Sequence, residues 1–190
     1  LRHRDKRLPQ ALRDRCLLGL MAMHGLRVVE VFRLNVGDLD PDAEGQGTLR
    51  VLGKGSKYRT VLLTQDSRQV LDVWLKSRAL LAPKRETALF VTLNWSRPEG
   101  ELPRRMSRRG IRRTVDKYLL LSGVKREGIS CHSLRHSYAT LSLALGADLY
   151  AISHSLGHSS ISTTQVYARI VDRAKSNPAQ FLGGLLEEPA

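Results

Sequence analysis

His132-Ser133-Leu134-Arg135-His136 is followed downstream by Leu156-Gly157-His158 and then by Thr163-Thr164-Gln165-Val166-Tyr167. One-turn spacing on a helix puts His132 on the same face as Arg135 and His136. Two imidazoles and a guanidinium on one stripe are hard to explain as packing. Toward the N-terminus, Gly25-Leu26-Arg27-Val28-Val29-Glu30 places Arg27 where a helix opens. Positive charge there opposes the helix dipole, yet alone it reads as a surface arginine. Lys54 stands in Gly53-Lys54-Gly55-Ser56-Lys57 and alone reads as a solvated loop lysine.

The segments around these residues read mainly as helix. From Pro9 to His24 apolar residues recur at helical spacing through Leu12, Cys16, Leu20 and Met23, with Pro9 suited to a first turn and Gly25 to a stop. A short helix is predicted over Val28 to Leu34, then a turn-rich stretch to Gly47. Thr48 to Leu52 and Tyr58 to Leu63 read as the two arms of a hairpin with Lys54 near its tip. Helices are expected over Asp66–Leu81, Ser107–Leu121, Ser133–Leu145, Leu149–Leu156 and Ser160–Ile170, with a short strand over Leu89–Thr92. Asn94–Arg104 reads as a loop, and Pro178–Leu186 as a last amphipathic segment. The fold class is therefore mainly α with a small antiparallel β-sheet.

Composition narrows the partner. The 190 residues suit one domain, and 31 Lys and Arg against 18 Asp and Glu leave a formal charge of +13. A domain this basic points to a polyanion. No apolar run approaches the ~18 residues of a membrane span, and no apolar stretch of the signal-peptide type follows the basic N-terminus. Cys16 and Cys131 lack paired spacing, which fits free thiols in a reducing cytoplasm. Arg105, Arg108, Arg109 and Arg112 would share one helical face suited to DNA phosphates.

Taken in order, the segments resemble the tyrosine recombinases, the integrases and Xer-type chromosome resolvases, from Pro9 to about Val171. Gly-Leu-Arg-x-x-Glu at 25–30 looks like the first arginine box, and Gly-Lys-Gly at 53–55 like the hairpin lysine site. His-x-x-Arg-His at 132–136 with Leu-Gly-His at 156–158 resembles the second box, and the segment ending at Tyr167 resembles the nucleophile. The resemblance implies the recombinase catalytic-domain fold. It also implies that Arg27, Lys54, His132, Arg135, His158 and Tyr167 are catalytic, with Glu30 supporting them.

The implied activity is site-specific cleavage and rejoining of double-stranded DNA through a 3′-phosphotyrosine, without ATP, metal or other cofactor. Its chemistry suits these residue types. A phenol with an ordinary pKa of ~10 is mostly neutral at pH 7, and a dense cationic site is expected to lower that value. Arginines offer forked donors to non-bridging phosphate oxygens. His158 would add a donor, Lys54 a proton for the departing 5′ oxygen, and His132 either acid/base help near Tyr167 or a hold on the phosphate. His136 is given no catalytic role, and Tyr138 and Tyr150 are read as core residues.

Rival readings are weaker. The pairs His132/His136 and His154/His158 have the i, i+4 spacing of helical zinc sites, but Arg135 would repel a cation and no third ligand completes either set. Asp38 to Glu44 loosely resembles a calcium loop without its central glycine. A type IB topoisomerase-like enzyme and a non-catalytic DNA-binding module are the functional alternatives. The expected organisation is a linker remnant over 1–8, a catalytic domain over 9–177 and a C-terminal segment over 178–190. Phe181, Leu182, Leu185 and Leu186 of that segment are candidates for docking between protomers. Relatives carry an N-terminal clamp domain that is expected to be missing here. The expected assembly is a homotetramer on paired DNA sites, with a monomer as the DNA-free alternative, in the cytoplasm at the nucleoid.

Overall fold

The structure, a computed structural model, describes residues 7–40, 47–93, 102–158 and 160–175. The predicted C-terminal segment, residues 1–6, most of the 94–104 loop and the acidic turn beyond Asp40 lie outside them. Seven helices are present among the described residues: α1 (Arg7–Met23), α2 (Val28–Arg33), α3 (Gln65–Leu81), α4 (Arg108–Leu121), α5 (Cys131–Ala144), α6 (Leu149–Leu156) and α7 (Ser162–Lys175). Their starts are written in the sequence. Thr64, Ser107, Ser130 and Asp148 each accept a backbone N–H from the first turn of the helix they precede, satisfying a donor the helix cannot pair itself.

Strands β1 (Leu39–Asp40), β2 (Thr48–Leu52) and β3 (Tyr58–Leu62) form one antiparallel sheet in the order β1-β2-β3. The predicted hairpin is present, with Thr48 opposite Leu62 and Leu52 opposite Tyr58. Two expectations fail. The turn-rich stretch after Asn35 contributes the third strand, two residues long and too short to leave a period-two pattern. Residues 89–92 form no strand; that region makes only single bridges, Asn35 with Ala88 and Val91 with Arg105.

The apolar interior falls into two clusters. The larger joins Leu17, Leu20 and Met21 of α1, Val31 of α2, Leu49 and Val51 of β2, Trp74 of α3 and Ile111 of α4. The smaller holds Ala139, Ile152, Leu156 and Tyr167 of α5, α6 and α7. Tyr138 packs against it as expected, but Tyr150 is 69% exposed, so its reading as core is corrected. The seam between the clusters is where the conspicuous residues gather.

Candidate active site

Arg27 sits at the entry to α2, where Glu30 reaches back one turn to accept the Arg27 backbone N–H at 2.8 Å. The same carboxylate, 1% exposed, takes the Arg27 guanidinium at 3.0 Å. It also takes both terminal nitrogens of Arg59, at 2.8 and 3.0 Å. Burial pushes the Glu30 carboxyl up, but the bonds and charge of Arg59, helped by Arg27, outweigh this and hold it below the usual range. Glu30 is thus an ionised brace between two arginines.

Arg135 rises from the second turn of α5 into the seam and is 2% exposed. Its two terminal nitrogens donate to the carbonyls of Gly25 at 2.7 Å and Leu156 at 2.6 Å. Arg27 donates to that same Leu156 carbonyl at 3.4 Å. Two like charges are therefore tied to one oxygen at the C-terminal end of α6, where the helix dipole is negative. Burial, then the Arg27 charge, lowers the Arg135 pKa to about 10, which leaves it a cation at neutral pH.

Gly157, in the left-handed conformation at φ +63°, ends α6 and turns the chain so that His158 follows at once. A side chain at 157 would also meet Arg59, whose Cδ lies 3.0 Å from the position of a Cβ. The His158 Nδ1 pairs with the Thr164 hydroxyl at 2.8 Å. Burial, followed by the charges of Arg135, Arg27 and Arg59, lowers His158 to about 4, so it is neutral at pH 7. His132 is lowered too, by burial first and then by His136, Arg135 and Arg27.

Two cavities have Arg27 in their linings. One, of about 490 Å³, is lined by Arg27, Arg112, Lys125, His132 and Arg135. The other, of about 630 Å³, is lined by Arg27, Lys54, Arg59, His158 and Thr163. Lys54 is exposed on a short 3₁₀ turn at the tip of the β2–β3 hairpin. Five of the six residues expected to be catalytic thus line one or other of two mainly cationic cavities that share Arg27, Asp116 being the one carboxylate in their linings. They can hold an anion on forked arginine donors, with imidazoles and an ammonium at their edge.

Tyr167 lines neither cavity. It is 5% exposed, in the smaller cluster, and its hydroxyl is 2.8 Å from the His136 Nδ1. Burial raises its pKa and outweighs the opposing influence of Arg135 and Arg27, contrary to the expected lowering. His136 was passed over in the sequence, and so was Arg59. For Arg59 a signal existed: alternation along β3 puts it on the same inward face as Val61.

Of the four arginines expected on one helical face, Arg108, Arg109 and Arg112 are exposed on α4. Arg105 precedes α4 and turns inward, donating to the carbonyls of Phe32 at 2.7 Å and Leu34 at 3.1 Å and to the Asn35 side chain. It closes the carbonyl end of α2, so the expected face is reduced to three.

The family model described as the phage integrase family matches residues 1–173. The chain is 39% identical over 158 residues to the tyrosine recombinase XerC of Thermodesulfovibrio yellowstonii, covering 83% of this chain and 50% of that protein. The chain spans about half the length of the curated relatives it matches. Among solved structures, the XerH site-specific recombinase bound to its palindromic difH substrate, in a post-cleavage complex, superposes with a TM-score of 0.74 at 27% identity, over 92% of this chain and 47% of that one. The XerA recombinase gives 0.71 at 25% identity, over 94% and 65%.

Proposed function

Since the chain belongs to the phage integrase family, we propose that it cuts and rejoins duplex DNA at specific sites through a covalent 3′-phosphotyrosine at Tyr167. The observation that carries this reading is the pair Arg27 and Arg135, held on the single Leu156 carbonyl beside His158, His132 and Lys54. Such a cradle suits a phosphodiester whose charge grows in a five-coordinate transition state. Each guanidinium keeps N–H donors beyond those given to the backbone, because every terminal nitrogen carries two hydrogens.

In the proposed reaction the scissile phosphate sits beside Arg27, which lines both cavities. Arg27 and Arg135 hold its non-bridging oxygens, and neutral His158 donates a further hydrogen bond. The Tyr167 oxygen forms a bond to phosphorus while the bond to the 5′ oxygen breaks, and Lys54 protonates that oxygen. A 5′ hydroxyl attacking the phosphotyrosine reverses the step. The ester keeps the bond energy, so religation needs no nucleotide. Tyr167 must first swing about its contact with His136, because the phenol lines neither cavity in the resting arrangement. Arg108, Arg109 and Arg112 would grip the flanking backbone.

A homotetramer on paired sites, docking through residues 178–190, and residence at the nucleoid are corollaries of this proposal. No helix among the described residues is long and apolar enough to cross a membrane. The test is trapping on a nicked duplex whose cleaved strand diffuses away. The chain should become covalently attached to DNA without added metal, and Tyr167→Phe should abolish attachment while leaving binding intact. Attachment that persists in the phenylalanine variant would remove Tyr167 from the reaction.

A further inference from the structure

The proposed reaction needs a group to receive the phenolic proton, and the sequence offered His132. We infer that His136 accepts that proton as Tyr167 attacks, an inference resting on the function proposed above. The hydroxyl of Tyr167 and the Nδ1 of His136 are 2.8 Å apart, and the two rings lie 5.4 Å apart at a tilt of 55°. With the imidazole proton on Nε2, Nδ1 is an acceptor and the phenol its donor. His132 meets His136 edge-on, with ring centroids 4.7 Å apart, and itself lines the phosphate cavity. The two histidines divide the work: His132 faces the phosphate and His136 faces the nucleophile.

The neighbours cannot substitute for it. Arg135 and Arg27 are close enough to favour a phenolate, but guanidinium has no lone pair with which to take a proton. His158 points its Nδ1 at Thr164. The need is sharpened by burial, which raises Tyr167 and makes spontaneous ionisation rarer. In the step, the Oη–P bond forms, the P–O5′ bond breaks, the phenolic proton passes to His136 Nδ1 and Lys54 gives one to O5′. In religation His136 returns its proton to the tyrosine oxygen and Lys54 recovers one from the 5′ hydroxyl, so protons balance over the cycle.

The decisive probe is a nicked duplex carrying a site that the chain itself enriches from a randomised DNA pool. It is made in two forms, one with the ordinary bridging 5′ oxygen and one with sulfur in its place. A thiolate departs without a proton, so sulfur bypasses the acid but not the base. On the oxygen duplex, His136→Ala and His136→Asn should each slow attachment by about 10²-fold, within the range for loss of one acid–base group. On the sulfur duplex Lys54→Ala should recover, while both His136 variants stay slow. In His136→Asn, which accepts a hydrogen bond but not a proton, the rate should climb about tenfold per pH unit as free ionisation of the phenol takes over.

An asparagine variant as fast as the unsubstituted chain would overturn the inference, and so would sulfur rescue of His136→Ala. Should the alanine variant misfold, the asparagine variant decides the matter. Attachment through Tyr167 with indifferent His136 variants sinks the proton-acceptor role alone. No attachment by the unsubstituted chain sinks the proposed function and this role with it.

Discussion

The Arg59 guanidinium meets the Glu30 carboxylate at two points, 2.8 and 3.0 Å, while its Nε holds the Ser155 carbonyl at 2.8 Å. One side chain from β3 thereby locks the start of α2 to the end of α6. Removing it leaves a buried carboxylate with Arg27 as its remaining partner among the ion pairs described. Breaking such a pair from one side typically costs about 3–5 kcal/mol. Arg59→Ala should lower stability by an amount near the bottom of that range, measured by urea unfolding. Arg59→Lys should recover only part, because an ammonium cannot make the forked contact. An unchanged midpoint in the alanine variant would mean that the pair contributes nothing.

Acid should weaken the fold before carboxylates titrate. An unfolded imidazole binds a proton near 6.5, whereas folded His158 does so only near about 4. Between those values the unfolded chain holds the extra proton, so stability falls as pH drops across that window. Glu30, held below its ordinary value, adds its own loss at the acid end of the window and beyond. Urea midpoints at pH 7, 6, 5 and 4.5 should decline steadily, and His158→Gln should make the upper part of the decline shallower, leaving the share of the lowered His132 and His24. A midpoint that holds constant from pH 7 to 5 would contradict the half-buried, neutral state of His158.

Gly25 cannot be replaced cheaply. Its φ is +64°, and a Cβ there would lie 2.6 Å from Leu156 Cδ2 and 2.8 Å from Tyr138 Cδ1. Left-handed backbone costs an alanine about 1–2 kcal/mol, and overpacking adds roughly 1–3. Gly25→Ala should therefore destabilise the chain by a few kcal/mol. It should also impair DNA attachment beyond that loss of fold, because the displaced carbonyl is one of the two that seat Arg135. Full activity in a folded Gly25→Ala protein would show that the cradle tolerates movement at this turn.

The arginines around α4 should separate into two kinds. Alanine at Arg108, Arg109 or Arg112 should leave unfolding unchanged and reduce the salt dependence of DNA binding by about one ion each. Arg105→Ala should do the reverse, lowering stability while leaving the salt slope alone, because its guanidinium closes α2 instead of facing solvent. A reduced slope in the Arg105 variant would return that residue to the DNA surface.

That Arg27, Arg135 and His158 come together was expected from the family resemblance, whose short motifs set Arg27 and His158 at helix ends and Arg135 in the second turn of α5. Leu156-Gly157-His158 dictates a left-handed turn directly after α6, and Gly25 does the same before Arg27. Helices with an apolar stripe and a Ser, Thr or Asp cap were found to within a few residues. What stayed hidden depends on pairing across the chain. His136 meets a phenol 31 positions away, and Arg59 meets a carboxylate 29 positions away and a carbonyl 96 away. Arg105 was misplaced because a run of arginines looks alike on a helix and ahead of one, whereas its real partners are backbone carbonyls with no sequence signature. The direction of the Tyr167 shift was missed for a related reason: composition reports charge, but only packing reports burial.

The oxygen that seats both Arg27 and Arg135 belongs to the main chain at Leu156. Every residue type supplies that same atom, so any side chain at 156 that fills the same buried space and lets the helix end there keeps the cation pair in place. The vulnerability lies in chain length: inserting or deleting one residue between Asp148 and Gly157 would rotate the carbonyl by about 100° around the helix axis and pull the two cations apart without altering a single charged residue.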